Sequence, residues 1–125
     1  MRAAVYQYLV ANCTNIPLWL QPYVADADTP KPYGVIAFGD ELRNPVNSLG
    51  AFRTLYIWMY MPLGSFVPVD NAAGEIKSLL SDRILTTGAG NRFQIEWIQT
   101  GRDFKDDELN ALGKWIEFRV PQIGK

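Results

Sequence analysis

The chain has 125 residues, 48% hydrophobic and 20% charged, which fits one folded domain around one core. Twelve basic against 13 acidic residues leave a net charge of -1, so bulk electrostatics give no reason to expect nucleic-acid or membrane binding. One Cys and no His exclude an internal disulfide, a Ser/His/Asp or Cys/His nucleophilic apparatus and a His-ligated metal, and lead us to expect an intracellular origin.

In the first segment Val5, Tyr8, Leu9 and Cys13 fall at helical spacing and predict a short amphipathic helix, with Cys13 a small buried residue near its end. Gln7 and Asn12 interrupt any apolar run and no cleavage pattern follows, so this segment does not read as a signal peptide. Asn12, Thr14, Asn15 and Pro17 supply a stop, and "LWLQPYVA" reads as an extended segment broken by Pro22. "DADTPKP" is turn chemistry, and "YGVIAFG", with Val35, Ile36 and Phe38, is a strand. "DELRNPVNSLG" shows no sheet period and is expected to be a long connection.

Phe52 to Met61 is the strongest strand, and its two faces differ in kind. Phe52, Tyr56, Trp58 and Tyr60 point one way with Thr54, while Leu55, Ile57, Met59 and Met61 point the other way with Arg53. A strand apolar on both faces belongs inside a sheet. The longest apolar run, Leu55 to Leu63, is far short of the roughly 20 residues a membrane-spanning helix needs. Asp70 is the expected N-cap of a second helix, whose stripe is Val69, Ala72, Ala73, Ile76, Leu79 and Leu80 and whose end lies near Arg83.

Ile84 to Thr87 reads as the start of another strand, Gly88 to Gly90 as a turn, and "RFQIEWIQ" as a half-exposed strand with Phe93, Ile95 and Trp97 on one face. "GRDFKDDELNALG" is polar and turn-like, with room for one or two helical turns over Asp106 to Leu112. "KWIEFRVP" then alternates again, with Ile116, Phe118 and Val120 opposite Glu117 and Arg119. The class is α+β: one domain with a mostly antiparallel sheet and two main helices packed on it.

The search for chemistry returns little. "TTGAGNRF" has the glycines of a phosphate loop but no Lys-Ser/Thr after them and no helix to receive an anion, so it reads as a hairpin turn. Asp103, Asp106, Asp107 and Glu108 could supply oxygen ligands, yet lack the spacing of an EF-hand, and acidic side chains suit the start of a helical turn. Asp26 and Asp28 sit in a Pro-flanked turn where Asp bonds its own backbone. Arg92, Arg102, Lys105 and Lys114 are interspersed with acids that cancel their field. No cofactor or metal site is expected. What stands out is the number of large rings: most belong in a core, and any left at a surface would suit an interface.

The order of elements resembles the tail terminator, or tail-completion and head-to-tail joining, proteins of long-tailed bacteriophages and related prophages. The resemblance rests on an N-terminal helix followed by "PLWLQPYV" and the strand opening "TPKPYGVIAF", and on the strand "TLYIWMY" before the helix "DNAAGEIKSLLSDR". The closing "FQIEWIQTGRDFKDDELNALGKWIEFRVP" looks like the family's paired last strands. It covers nearly the whole chain, but "DELRNPVNSLG" and "MPLGSFVPV" depart from it.

The resemblance implies a non-enzymatic virion component, present in the host cytoplasm during assembly, that forms a ring, a hexamer, on the end of the tail tube. There it would stop tube growth and offer a surface to a head connector or neck protein, with DNA contacted only through the ring lumen. A closed ring needs a heterologous interface. Two candidates are the aromatic face of Tyr56, Trp58 and Tyr60, and the loops carrying Leu49, Met61, Leu63 and Phe66; the ordinary reading of both is intramolecular core. A reading from another class stands beside this one: a small-molecule- or metal-binding α+β domain using the acidic clusters.

Overall fold

The computed structural model describes residues 2–20, 31–43, 50–108 and 110–123. The elements run α1 (Arg2–Asn12), β1 (Leu18–Leu20), β2 (Tyr33–Arg43), β3 (Gly50–Pro62), α2 (Val67–Leu80), β4 (Arg83–Thr86), β5 (Arg92–Thr100), β6 (Phe104–Asp106) and β7 (Ala111–Ile123). They form an α+β domain in which a seven-stranded sheet has the order β1-β2-β3-β7-β5-β4, with β6 on β7. Every pairing is antiparallel except β1 on β2. No described helix is long and apolar enough to cross a membrane.

The alternation of β3 decides the layers. Ile57 pairs with Ile36 of β2 and Ile116 of β7, so these side chains share one face with Leu55, Met59, Met61, Phe118 and Val120. That face is largely apolar and receives both helices; Arg53 and Lys114, opposite Val120 and Met59, are its charged members. Val5 and Leu9 come from α1, Cys13 follows its end, and Val69, Ala72, Ala73, Ile76 and Leu80 come from α2, all buried in one cluster with Phe93 and Ile95 of β5.

The helices are tied together by one carboxylate. α1 ends at Asn12, and the following backbone turns around Glu75 of α2, which accepts from the Thr14 N–H (2.9 Å) and hydroxyl (2.6 Å) and from the Asn15 N–H and side-chain amide (both 2.9 Å). The Cys13 thiol donates to the same carboxylate at 3.2 Å. Burial raises the Glu75 pKa, but the Thr14 hydroxyl and the Thr14 and Asn15 N–H groups together outweigh it and hold the carboxyl at about 2. Burial and the neighbouring Glu75 push the Cys13 thiol the other way, up to about 11. Iodoacetamide at pH 8 is therefore expected to leave Cys13 unlabelled in the native protein and to label it fully in urea; equal labelling rates would contradict this placement.

Four local readings of the sequence need correction. The residues after Gly39 do not form a connection at once: β2 continues to Arg43, and a register shift between Phe38 and Glu41 breaks the alternation that would have betrayed it. The rest of that stretch, 44–49, lies outside the described residues, as does the expected turn over 21–30. α2 starts at Val67 rather than after Asp70; Phe66 precedes it without a side-chain cap, Pro68 fills its first turn, and the Ser65 hydroxyl accepts the Val67 N–H at 3.0 Å. β4 begins at Arg83, a residue before the expected start.

The helical turns expected over Asp106 to Leu112 do not form. Phe104 to Asp106 instead pairs with Gly113 to Ala111, and Asn110 takes the left-handed conformation (φ 51°) that the tight reversal needs. Lys105 between Phe104 and Asp106 hides this three-residue strand from any apolar pattern.

Gly74 occupies the exposed face of α2, where an added Cβ would meet nothing within 4 Å. Gly74→Ala is expected to stabilise the fold by about 0.5–1 kcal/mol through helix propensity alone, read as a higher urea midpoint. A lower midpoint would show that this face is not open.

The aromatic sheet face and the loop after β3

The sheet face opposite the helices is built from the other parity of β3. Tyr56, Trp58 and Tyr60 project there, each half-buried, and the register sets further rings beside them. Tyr33 of β2 lies opposite Tyr60 and stacks on it at 5.0 Å and 22°. Trp115 of β7 lies opposite Trp58 at 6.1 Å and meets Tyr56 edge-on at the same distance. Phe104 of β6 meets Trp58 and Tyr60 edge-on at 6.0 and 5.9 Å. Edge-to-face and stacked packing at these distances is attractive, and the six rings cover one another on a face that, among the described residues, no helix occupies.

Two glycines make room for this layer. A Cβ on Gly101 would overlap the Trp115 indole, and one on Gly113 would overlap Phe104 and come within 2.9 Å of the Met59 carbonyl oxygen. The rings thus lie directly on backbone, as aromatic side chains do when they cover a glycine across a pair of strands. Burial raises the Tyr60 pKa and the Asp106 carboxylate nearby adds to the shift, so its hydroxyl stays protonated as a donor at the edge of the face.

Of the expected interface residues, the structure brings Tyr56, Trp58 and Tyr60 together and separates the rest. Met61 is 2% exposed in the helix-side core, because its parity is that of Leu55 and Ile57; it offers no surface, contrary to the expectation that it belongs with the loop. Phe66 is half-buried and packs against the same core. Leu63, 49% exposed, stands at an apolar tip beyond the end of β3, and Val67, 61% exposed, opens α2. Leu49 lies outside the described residues. Sequence reasoning did not attach Tyr33, Trp115 or Phe104 to the face. Trp115 had a signal, since it shares the parity of Glu117 and Arg119 rather than of Ile116; Phe104 had none.

The acidic residues have other work. Lys114, half-buried, donates to Asp103 and Asp70 at 3.0 Å each and so joins the β5–β6 loop to the first turn of α2; burial opposes its charge, but the two carboxylates win and raise its pKa. Asp107 pairs with Lys105 at 3.5 Å. Among the described residues no cluster of His, Cys, Asp and Glu is placed to hold a metal ion, and Asp26 and Asp28 lie outside them. The glycine-rich stretch is a hairpin turn joining β4 to β5, in which the Thr87 N–H donates to the Asn91 carbonyl, the Asn91 N–H donates to the Thr87 hydroxyl, and Gly90 has φ 89°.

The fold built from these layers occurs in a virus-like particle. A component of the virion of a native gene transfer agent particle superposes with a TM-score of 0.75 at 18% sequence identity, over 99% of this chain and 95% of that one. The likeness thus spans both chains almost end to end, and at this identity it is a likeness of fold. No protein-family model matches the chain. No curated protein sequence matches it either.

Proposed function

We propose that the protein is a structural component of a phage-like virion, and more narrowly a tail terminator: a ring, a hexamer, that caps the tail tube, ends its growth and presents the surface to which a head connector or neck protein joins. The single observation that supports the virion role most is the full-length likeness of fold to a component of a gene transfer agent virion. The narrower role rests on the resemblance of the element order to tail-completion proteins.

Within that reading the ring interface is heterologous, so two different patches of the subunit meet. The aromatic face of Tyr56, Trp58 and Tyr60 and the tip carrying Leu63 are the surfaces we assign to it, with Phe66 between the tip and the core; Leu49, outside the described residues, is assigned from the sequence alone. DNA would meet the protein only through the lumen. Among the described residues nothing favours the metal- or small-molecule-binding alternative, and Asp103 and Asp107 are paired with Lys114 and Lys105.

Native mass spectrometry over a concentration series, with and without tail tubes from the same genome, tests the ring. The expected result is a six-subunit species, free or on tubes. Leu63→Glu should abolish it while leaving the melting curve unchanged, because the residue is exposed in the subunit. A wild-type chain that stays monomeric alone and ignores tubes would rule the ring out. Rings in the Leu63→Glu variant would remove the tip from the interface.

A further inference from the structure

β5 lies between two strands, but neither flanks it throughout. β4 runs beside Arg92 to Ile95 only, and β7 pairs with Glu96, Trp97, Gln99 and Thr100, with a register shift that leaves Ile98 without a paired residue. Among the described residues the second edge of Glu96–Thr100 therefore has no strand against it. Trp97, Ile98, Gln99 and Thr100 are all exposed, the Trp and Ile by 39% each. Proteins otherwise shorten, cover, charge or bulge an open edge that carries large apolar side chains; here the irregularity at Ile98 still leaves both Trp97 and Ile98 exposed.

Trp97 is held in place on this edge. Its ring lies under the Lys77 ammonium at 4.0 Å, and its indole N–H donates to the Thr100 hydroxyl at 3.1 Å. A large ring fixed before binding loses little freedom on burial, which is the property of an interface anchor. The flanking charges set the sign of what can approach. Glu96 is engaged by Arg119 at 3.7 Å, whereas Lys77 stands over the anchor and exposed Arg102 follows the strand. Main-chain groups along an open edge recognise an extended polypeptide, and these two cations favour carboxylates on it.

We propose that the Glu96–Thr100 edge of β5 is a strand-addition site, at which a partner protein docks an extended segment of alternating apolar and acidic side chains with Trp97 as the anchor. The site is independent of the ring reading, and its test uses the subunit in any oligomeric state.

The folded full-length chain is used to select from a library of random dodecapeptides, and the enriched peptides are returned to it in an amide hydrogen-exchange experiment. The expected result is enrichment of peptides that alternate apolar and acidic residues and slow exchange within Glu96–Thr100. Trp97→Ala should weaken their binding by about tenfold or more, and Ile98→Asp, which places a like charge against the acidic peptide, should do the same with the native circular dichroism retained. Four outcomes overturn the proposal: no enrichment, protection confined to other strands, binding indifferent to both substitutions, or concentration-dependent protection of Glu96–Thr100 in the protein alone, which gives the edge to a second copy of the chain.

Discussion

Trp58→Ala should lower the stability of the isolated subunit by about 2–3 kcal/mol, seen as a fall in melting temperature of about 10 °C. Trp58 is the centre of the aromatic layer: it touches both Trp115 and Phe104, and these in turn touch Tyr56 and Tyr60. A fully buried Trp truncated to Ala costs about 3–5 kcal/mol, and half exposure reduces that, while each lost aromatic pair adds about 0.5–1.5 kcal/mol. Trp58→Phe should recover at least half of the loss. A change below about 0.5 kcal/mol in the alanine variant would mean that the rings do not support one another in the subunit and wait for a partner to pack them.

Glu75→Ala has the second large effect. It leaves the Thr14 and Asn15 N–H groups and the Thr14 hydroxyl without the carboxylate that gathers them, and α1 loses its polar tie to α2. The sites are partly open to water, so the expected cost is about 2 kcal/mol rather than the sum of the bonds. The pH dependence follows from the sign of the shift. The folded carboxyl, at about 2, lies below its ordinary value of 4.5, so its contribution is complete above pH 4.5 and fades as the pH falls towards 2. Solvent screening limits the contribution to about 1–2 kcal/mol. The stability gap between wild type and Glu75→Gln, measured by urea unfolding, should therefore be constant from pH 7 to 5 and narrow below 4.5. A gap that does not change down to pH 2 would contradict the carboxylate's role.

The main layers were legible in the sequence because periodicity reports burial. The two parities of β3 were read as aliphatic and aromatic, and the helices do pack on Leu55, Ile57 and Met59; the stripe of α2 is the one that is buried. What escaped was set by geometry that leaves no apolar trace. β2 carries its irregularity where charged residues begin, so Asp40 to Arg43 looked like a loop. β6 is three residues long and rests on a single ring over Gly113.

The candidate site was half legible for the same reason. A strand's own alternation names Tyr56, Trp58 and Tyr60, but only register tells that Trp115 and Tyr33 stand opposite them. Met61 was grouped with the loop by its neighbours in sequence, although its parity placed it in the core. Glu75 had no signal at all, since its partners lie about 60 residues away.

A chain that caps a tail tube, as we propose, changes how tubes end. The test is negative-stain electron microscopy of tubes polymerised from a tail tube protein of the same genome, with and without this chain. With the chain present, tubes should stop growing, carry extra density at one end and fail to elongate when more tube protein is added. Tubes that grow on regardless, with bare ends, would contradict it.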